Sequence, residues 1–263
     1  MTPDVDDQKM PLMEHLYELR TRLIYSVAGL LIAFIGCFAV AETLFYFLAQ
    51  PLMDTLGEGR RLIFTALPEA FFTQVKVAFF FAAMICFPLF ATQFWKFVAP
   101  GLYKNEKGAF LPFLIASPIL FLIGASFVYY FVFPLAFEFF LSFETTAGSD
   151  QLAIENEAKV GEYLSLAMKL IFAFGLAFQL PVALTLLARA GIASSQGMAE
   201  KRKYAILGVF IVAAIFTPPD PLSQIGLAVP IIILYEISIV LARMVEKKKA
   251  ERDAEQEAEL EAD

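Results

Sequence analysis

Six stretches of this chain are apolar over lengths that suit a bilayer rather than water, and that pattern constrains the fold more than any other feature. A hydrocarbon core is about 30 Å thick and a helix rises about 1.5 Å per residue, so roughly 20 apolar residues cross it. The runs occupy residues 23–40, 75–94, 110–133, 164–187, 204–216 and 222–242. Composition agrees, with 59% hydrophobic and only 18% charged residues among 263, where a soluble domain carries about 25% charged. Phenylalanine is the residue in excess, at 29 copies. The expected fold is an all-α integral membrane protein of about six transmembrane helices, the last two short. The fifth run is the shortest; it reaches only about 20 Å and needs a thinned bilayer or shielded ends. Pro88, Pro118 and Pro230 lie inside the second, third and sixth runs and are expected to kink them.

Lysine and arginine are distributed unevenly between the connecting segments, and that bias predicts orientation. The N-terminal segment, the second and fourth loops and the tail hold fifteen of the 20. The opposite side holds Arg60, Arg61 and Lys159, while Lys76 and Lys169 fall inside spans near their outer ends, where a lysine can snorkel. Both termini are therefore expected in the cytoplasm, with the longest outward loops near 41–73 and 134–162. Three regions follow: an amphipathic N-terminal segment (1–22), a six-helix membrane domain (23–242) and a charged, disordered tail (243–263). The tail mixes Lys and Glu with almost nothing apolar to bury. No small-residue cleavage site follows the first run, so that span is expected to be retained.

Several chemistries find no support. The chain has one histidine, His15, and lacks a Gly-rich phosphate loop, HExxH and GxSxG. No enzymatic activity, cofactor or metal is expected. Cys37 and Cys86 sit in apolar runs and read as small hydrophobes rather than a disulfide. A net charge of −7 without a basic stripe does not suit nucleic acid.

Two polar segments flank the spans on the basic side. In the first, Leu12, Leu16, Leu19 and Leu23 recur at helical spacing, while Glu14, Glu18 and Arg22 follow one another at four-residue steps. Such a helix would lie along the membrane surface before turning into the first span. Read alone, Glu18 pairs with Arg22, worth about 0.3–0.5 kcal/mol. The second segment runs from Gln93 to Lys107, with Trp95 and Tyr103 placed as interface aromatics. Glu106 follows Asn105 near the start of the third span, where an acid favours the helix dipole.

Three stretches carry a family resemblance: His-Leu-Tyr-Glu-Leu-Arg-Thr-Arg-Leu from His15 to Leu23, the Phe-x-x-Pro-x-Leu-Tyr-x-x-Glu pattern from Phe97 to Glu106, and Thr-Pro-Pro-Asp-x-x-Ser-Gln from Thr217 to Gln224. Together, and in this order, they resemble the TatC family, the signal-peptide receptors of the twin-arginine translocase. The resemblance covers about residues 12–242. It implies that carboxylates at Glu18 and Glu106 bind the consecutive arginines of export signal peptides, with Arg20 and Phe97 at neighbouring positions of the site. It further implies work with single-span TatA-like and TatB-like subunits in an oligomeric complex of the bacterial cytoplasmic (inner) membrane, driven by the proton-motive force. An arginine suits a carboxylate because its planar fork makes two charge-assisted hydrogen bonds.

Three further positions match the family and keep two readings each. Asp220 matches an outward acid of the last hairpin and is equally an N-cap before Pro221. Pro51 matches a position after the first span and can simply shape the outward loop. Gln179 stands where many members carry glutamate; it keeps hydrogen bonding but cannot ionise, and either docks a partner helix or packs within the chain. The rival reading of the whole chain is a solute transporter or channel with a midplane site around Gln179 and Lys169.

Overall fold

The computed structural model describes residues 12–56, 62–102, 111–143, 159–217 and 221–262. Among them, the only extended pairing is a single bridge between Ile63 and Lys159; everything else regular is helix. Helix α1 (Leu12–Ala39) is 28 residues long, about 42 Å. It is one unbroken helix, so the amphipathic segment does not turn into the first span as expected; it continues straight into it. The reason is local: residues 12–28 contain neither Gly nor Pro to break the helix.

Helix α2 (Ala41–Leu56) occupies the region expected as an outward loop. Its Leu48, Ala49, Leu52 and Leu56 are buried at helical spacing, and it packs on α3 (Glu69–Ile85). Helix α4 (Phe87–Leu102) leaves α3 at 51° across Cys86, and the two together cover the expected second span. Pro88 stands at that bend, as a proline that removes a helical hydrogen bond should. Helix α5 (Leu111–Phe127) passes through a π-turn (Val128–Val132) into α6 (Phe133–Leu141). Pro134 stands two residues after the π-turn, in the first turn of α6, where it can give no helical N–H back to Tyr130. The third span thus reaches Leu141 rather than ending near 133. Pro118 and Pro230 both sit inside unbroken α-helices.

Helices α7 (Val160–Ala177) and α8 (Leu180–Arg189) form the fourth span, Val160–Arg189, broken only at Phe178 and Gln179. Short α9 (Ser195–Glu200) precedes α10 (Arg202–Phe216) and α11 (Pro221–Ala262). Among the described residues four helices are long and apolar enough to cross a membrane, or five when the bent α3–α4 pair counts as one. The expected fifth span, α10, has 15 residues and reaches only about 22 Å. The final helix, by contrast, is 42 residues long rather than short. It carries residues 243–262, expected as a disordered tail, along as helix.

The core gathers where α5, α6 and α7 meet α2 and α11. Phe121, Phe133, Phe174, Leu48, Leu164 and Leu227 are wholly or almost wholly enclosed. Outside it, large apolar side chains face away from the chain, and only 6% of the α1 apolar window is buried. Such an apolar exterior requires lipid. The molecule is a multi-pass membrane protein.

Helices α5 and α7 approach through glycine. A Cβ on Gly124 would lie 2.7 Å from the Phe174 carbonyl oxygen, and one on Gly175 would lie 2.5 Å from the Phe121 ring. Small residues let membrane helices pack closely where no hydrophobic drive exists between them. Gly124→Ala is expected to lower stability by about 1–3 kcal/mol, the usual cost of overpacking. Thermal unfolding in mild detergent checks it, with Gly208→Ala as control because nothing lies within 4 Å of its added methyl. A neutral Gly124→Ala contradicts the close-approach argument.

Candidate functional site

The N-terminal end of α1 meets the far end of α4 through polar and aromatic side chains. The Arg22 guanidinium donates to Oε1 of Glu18 from Nε at 3.0 Å and also from Nη2. Its Nη1 reaches Oε1 of Gln93 on α4 at 3.4 Å. One turn nearer the chain start, the His15 ring stacks on Phe97 of α4, centroids 4.2 Å apart and planes 16° apart. The Nδ1 of His15 lies 3.8 Å from the second Glu18 oxygen. Glu18 is thus held between a guanidinium and an imidazole, at a side-chain exposure of 23%.

Of the residues singled out from sequence, the structure brings Glu18 and Phe97 to one end of the bundle, bridged by His15. Arg20 is exposed, and two residues on from Glu18 it points to the other side of the helix. Glu106 lies outside the described residues. Sequence reasoning missed Gln93 and the role of His15. The signal was present: Gln93 and Phe97 stand four apart on α4, as Glu18 and Arg22 do on α1.

Gln179 sits at the break between α7 and α8. Its Oε1 accepts from the Ser117 hydroxyl at 2.6 Å, and its Nε2 donates to the Ser117 carbonyl at 2.8 Å. Ser117 on α5 is buried. Both ends of the Gln179 amide thus bond within the chain. Pro51 lies inside α2 and is buried. Lacking an N–H, it leaves the Phe47 carbonyl without its helical donor, and the Tyr129 hydroxyl donates there instead at 2.7 Å. The Tyr163 hydroxyl donates to the next carbonyl, Leu48, at 2.8 Å. Pro51 therefore opens α2 to a tyrosine clamp from the third and fourth spans.

Asp220 lies outside the described residues. Of its flanking motif residues, Thr217 closes the end of α10, its hydroxyl donating to the Ala213 carbonyl at 2.9 Å, and Gln224 joins α11 to α10, its Nε2 donating to the Phe210 carbonyl at 3.2 Å. Among the described residues no group of three or more His, Cys, Asp or Glu side chains could hold a metal ion.

This arrangement defines a helical, multi-pass membrane protein whose polar side chains join helices, with the Glu18 carboxylate at the N-terminal end of α1 bonded to Arg22 beside α4. The sequence matches the family model described as Sec-independent protein translocase protein (TatC) over residues 14–230. A protein of that name from Magnetococcus marinus is 51% identical over 263 residues, covering 100% of this chain and 94% of the relative. The Escherichia coli K12 protein of the same name is 35% identical over 247 residues, 94% of this chain and 93% of the relative. The crystal structure of a twin-arginine translocase receptor, TatC, superposes with a TM-score of 0.77 at 38% identity, covering 88% of this chain and 99% of that one. The chain belongs to the TatC family.

The Ser117–Gln179 pair yields a direct test. Buried hydrogen bonds between membrane helices average about 0.6 kcal/mol and reach about 1.7. A cycle combining Ser117→Ala with Gln179→Leu is expected to give a coupling in that range, read from unfolding free energies in detergent. Additivity of the two substitutions would show that the pair carries no interaction energy.

Proposed function

We propose that this chain is the receptor that captures twin-arginine signal peptides and so starts export of folded proteins. Glu18 is the residue that carries the reading. It is a partly exposed carboxylate already bound by a guanidinium, whose Nε and Nη2 both donate to Oε1 in the kind of charge-assisted pairing an incoming arginine would make. Arg22 then acts as a stand-in for cargo. Helix pairs of this spacing are worth only about 0.3–0.5 kcal/mol, so exchanging Arg22 for a signal-peptide arginine costs little. Glu106 supplies the second carboxylate in this proposal, and Phe97, packed on His15, an apolar wall beside the first.

The site lies at the cytoplasmic face of the bacterial inner membrane in this reading, with both termini on that side. Support comes from charge: fifteen of the 20 Lys and Arg residues fall in segments assigned there. TatA-like and TatB-like single-span subunits complete the complex, and the proton-motive force drives transport. Gln179 serves chain packing rather than a proton path, since its amide cannot ionise and both its ends bond Ser117. That commitment also weakens the solute-transporter alternative, which needs Gln179 free to meet a ligand.

Photocrosslinking of a signal peptide to positions beside Glu18, comparing Arg-Arg with Lys-Lys versions, tests the proposal. Capture of the Arg-Arg peptide is expected to exceed that of the Lys-Lys peptide. Glu18→Gln is expected to weaken Arg-Arg binding about 10- to 100-fold, the loss of one charge-assisted hydrogen-bond pair, with the protein still folded in the membrane. Arg22→Ala is expected to preserve or tighten binding because it removes the internal competitor. Equal capture of both peptides, or weaker binding by Arg22→Ala, would count against the mechanism.

A further inference from the structure

At the end of the second span opposite Phe97, α3 and α7 begin side by side. The Glu69 carboxylate fixes them at one level, because its Oε1 accepts from the Gly161 N–H at 3.1 Å. Its Oε2 accepts from the backbone N–H groups of Thr65 and Ala66 at 2.7 and 3.2 Å and from the Thr65 hydroxyl at 3.1 Å. Beneath this clasp opens a groove of about 690 Å³ between α3, α7 and the end of α10.

Three lysines and two glutamates line the groove: Lys76, Lys159, Lys169, Glu69 and Glu162. Glu69 is occupied by backbone donors, and Glu162 pairs with Lys159 at 3.3 Å. Among the described residues no carboxylate lies within ion-pair distance of Lys76 or Lys169, and both are exposed. Helical rise places Lys76 about 10 Å and Lys169 about 12 Å below the clasp. The two lysines therefore branch from their helices at similar depth, inside spans, and line the same groove. Cations at that depth need either a path to water or an anion.

The walls indicate which anion fits. Thr65, Thr73, Ser165 and Thr217 give one part of the lining polar character, while Phe72, Ile215 and Phe216 give another an apolar one. A ligand with a phosphate at one end and a hydrocarbon chain at the other satisfies both. We propose that the groove is a binding site for an anionic phospholipid, its phosphate held between Lys76 and Lys169 and an acyl chain laid along Ile215 and Phe216. This site is separate from the Glu18 cluster and does not depend on signal-peptide binding.

Native mass spectrometry of the full chain, released from detergent with phosphatidylglycerol or phosphatidylcholine, tests this directly. Phosphatidylglycerol is expected to be retained preferentially. Each of K76Q and K169Q is expected to weaken its retention about fivefold, the usual effect of removing one lysine from an anionic lipid site. K76R/K169R is expected to retain it, and elution and thermal unfolding confirm that each variant is folded. The single variants carry the test if K76Q/K169Q does not fold. Undiminished retention by the Gln variants would overturn the proposal. So would displacement of the lipid by equimolar inorganic phosphate, which would mark a simple anion site. Loss of a single-span partner helix from the K76Q variant with lipid retention unchanged would likewise overturn it, in favour of a protein ligand.

Discussion

Inside a bilayer a peptide group has no water to bond, and each unpaired N–H or C=O costs several kcal/mol. This constraint shapes the molecule where its helices are interrupted among the described residues. At the α3–α4 bend the Cys86 N–H still reaches the Ala82 carbonyl at 2.9 Å, and the Phe90 N–H reaches Cys86 at 2.9 Å. At the π-turn the Phe133 N–H bonds the Val128 carbonyl, five residues back. At the α7–α8 break the Gln179 N–H bonds Leu176 and the Ala183 N–H bonds Gln179, both at 2.9 Å. Where Pro51 withholds a donor in α2, a tyrosine hydroxyl from the third span supplies one. At these breaks the helices bend or widen while the backbone groups named here stay paired.

The same constraint sorts the polar side chains by task. Those within the spans, such as Ser117, Gln179 and Tyr163, are spent on joining helices. Side chains at the ends of spans can exchange partners with water or a ligand at small cost. Glu18 is of the second kind. Its bond to Arg22 satisfies the carboxylate when no cargo is present, and the proposed receptor mechanism uses that weak internal pair as a placeholder. Lys76 and Lys169 lie between the two kinds, which is why a lipid phosphate is the ligand proposed for them.

Much of this was legible in the sequence, for identifiable reasons. The first, third, fourth and sixth apolar runs became spans because apolar length alone decides crossing. Helix α2 was hidden because it is too short to cross and carries Glu42, Gln50 and Asp54; its buried Leu48 and Leu52 were the available sign. Residues 243–262 were read for their lack of apolar surface, yet Ala, Glu, Lys, Arg and Gln are strong helix formers, and propensity prevailed. At the site, the Glu18–Arg22 pair followed from four-residue spacing. The stacking of His15 on Phe97 and the bonding of Gln179 to Ser117 join separate helices, and no local pattern encodes them.

The central claim is that the Glu18 carboxylate exchanges Arg22 for an arginine of the cargo leader. A double-mutant cycle between Glu18→Gln and Arg→Lys at each consecutive arginine of a signal peptide, read as equilibrium binding to the protein in nanodiscs, measures that contact itself. The account predicts a coupling of about 1 kcal/mol or more for one of the two arginines, well above the roughly 0.3–0.5 kcal/mol scatter of independent sites. Additivity at both arginines would show that Glu18 does not touch them, and the receptor mechanism built on this carboxylate would fail.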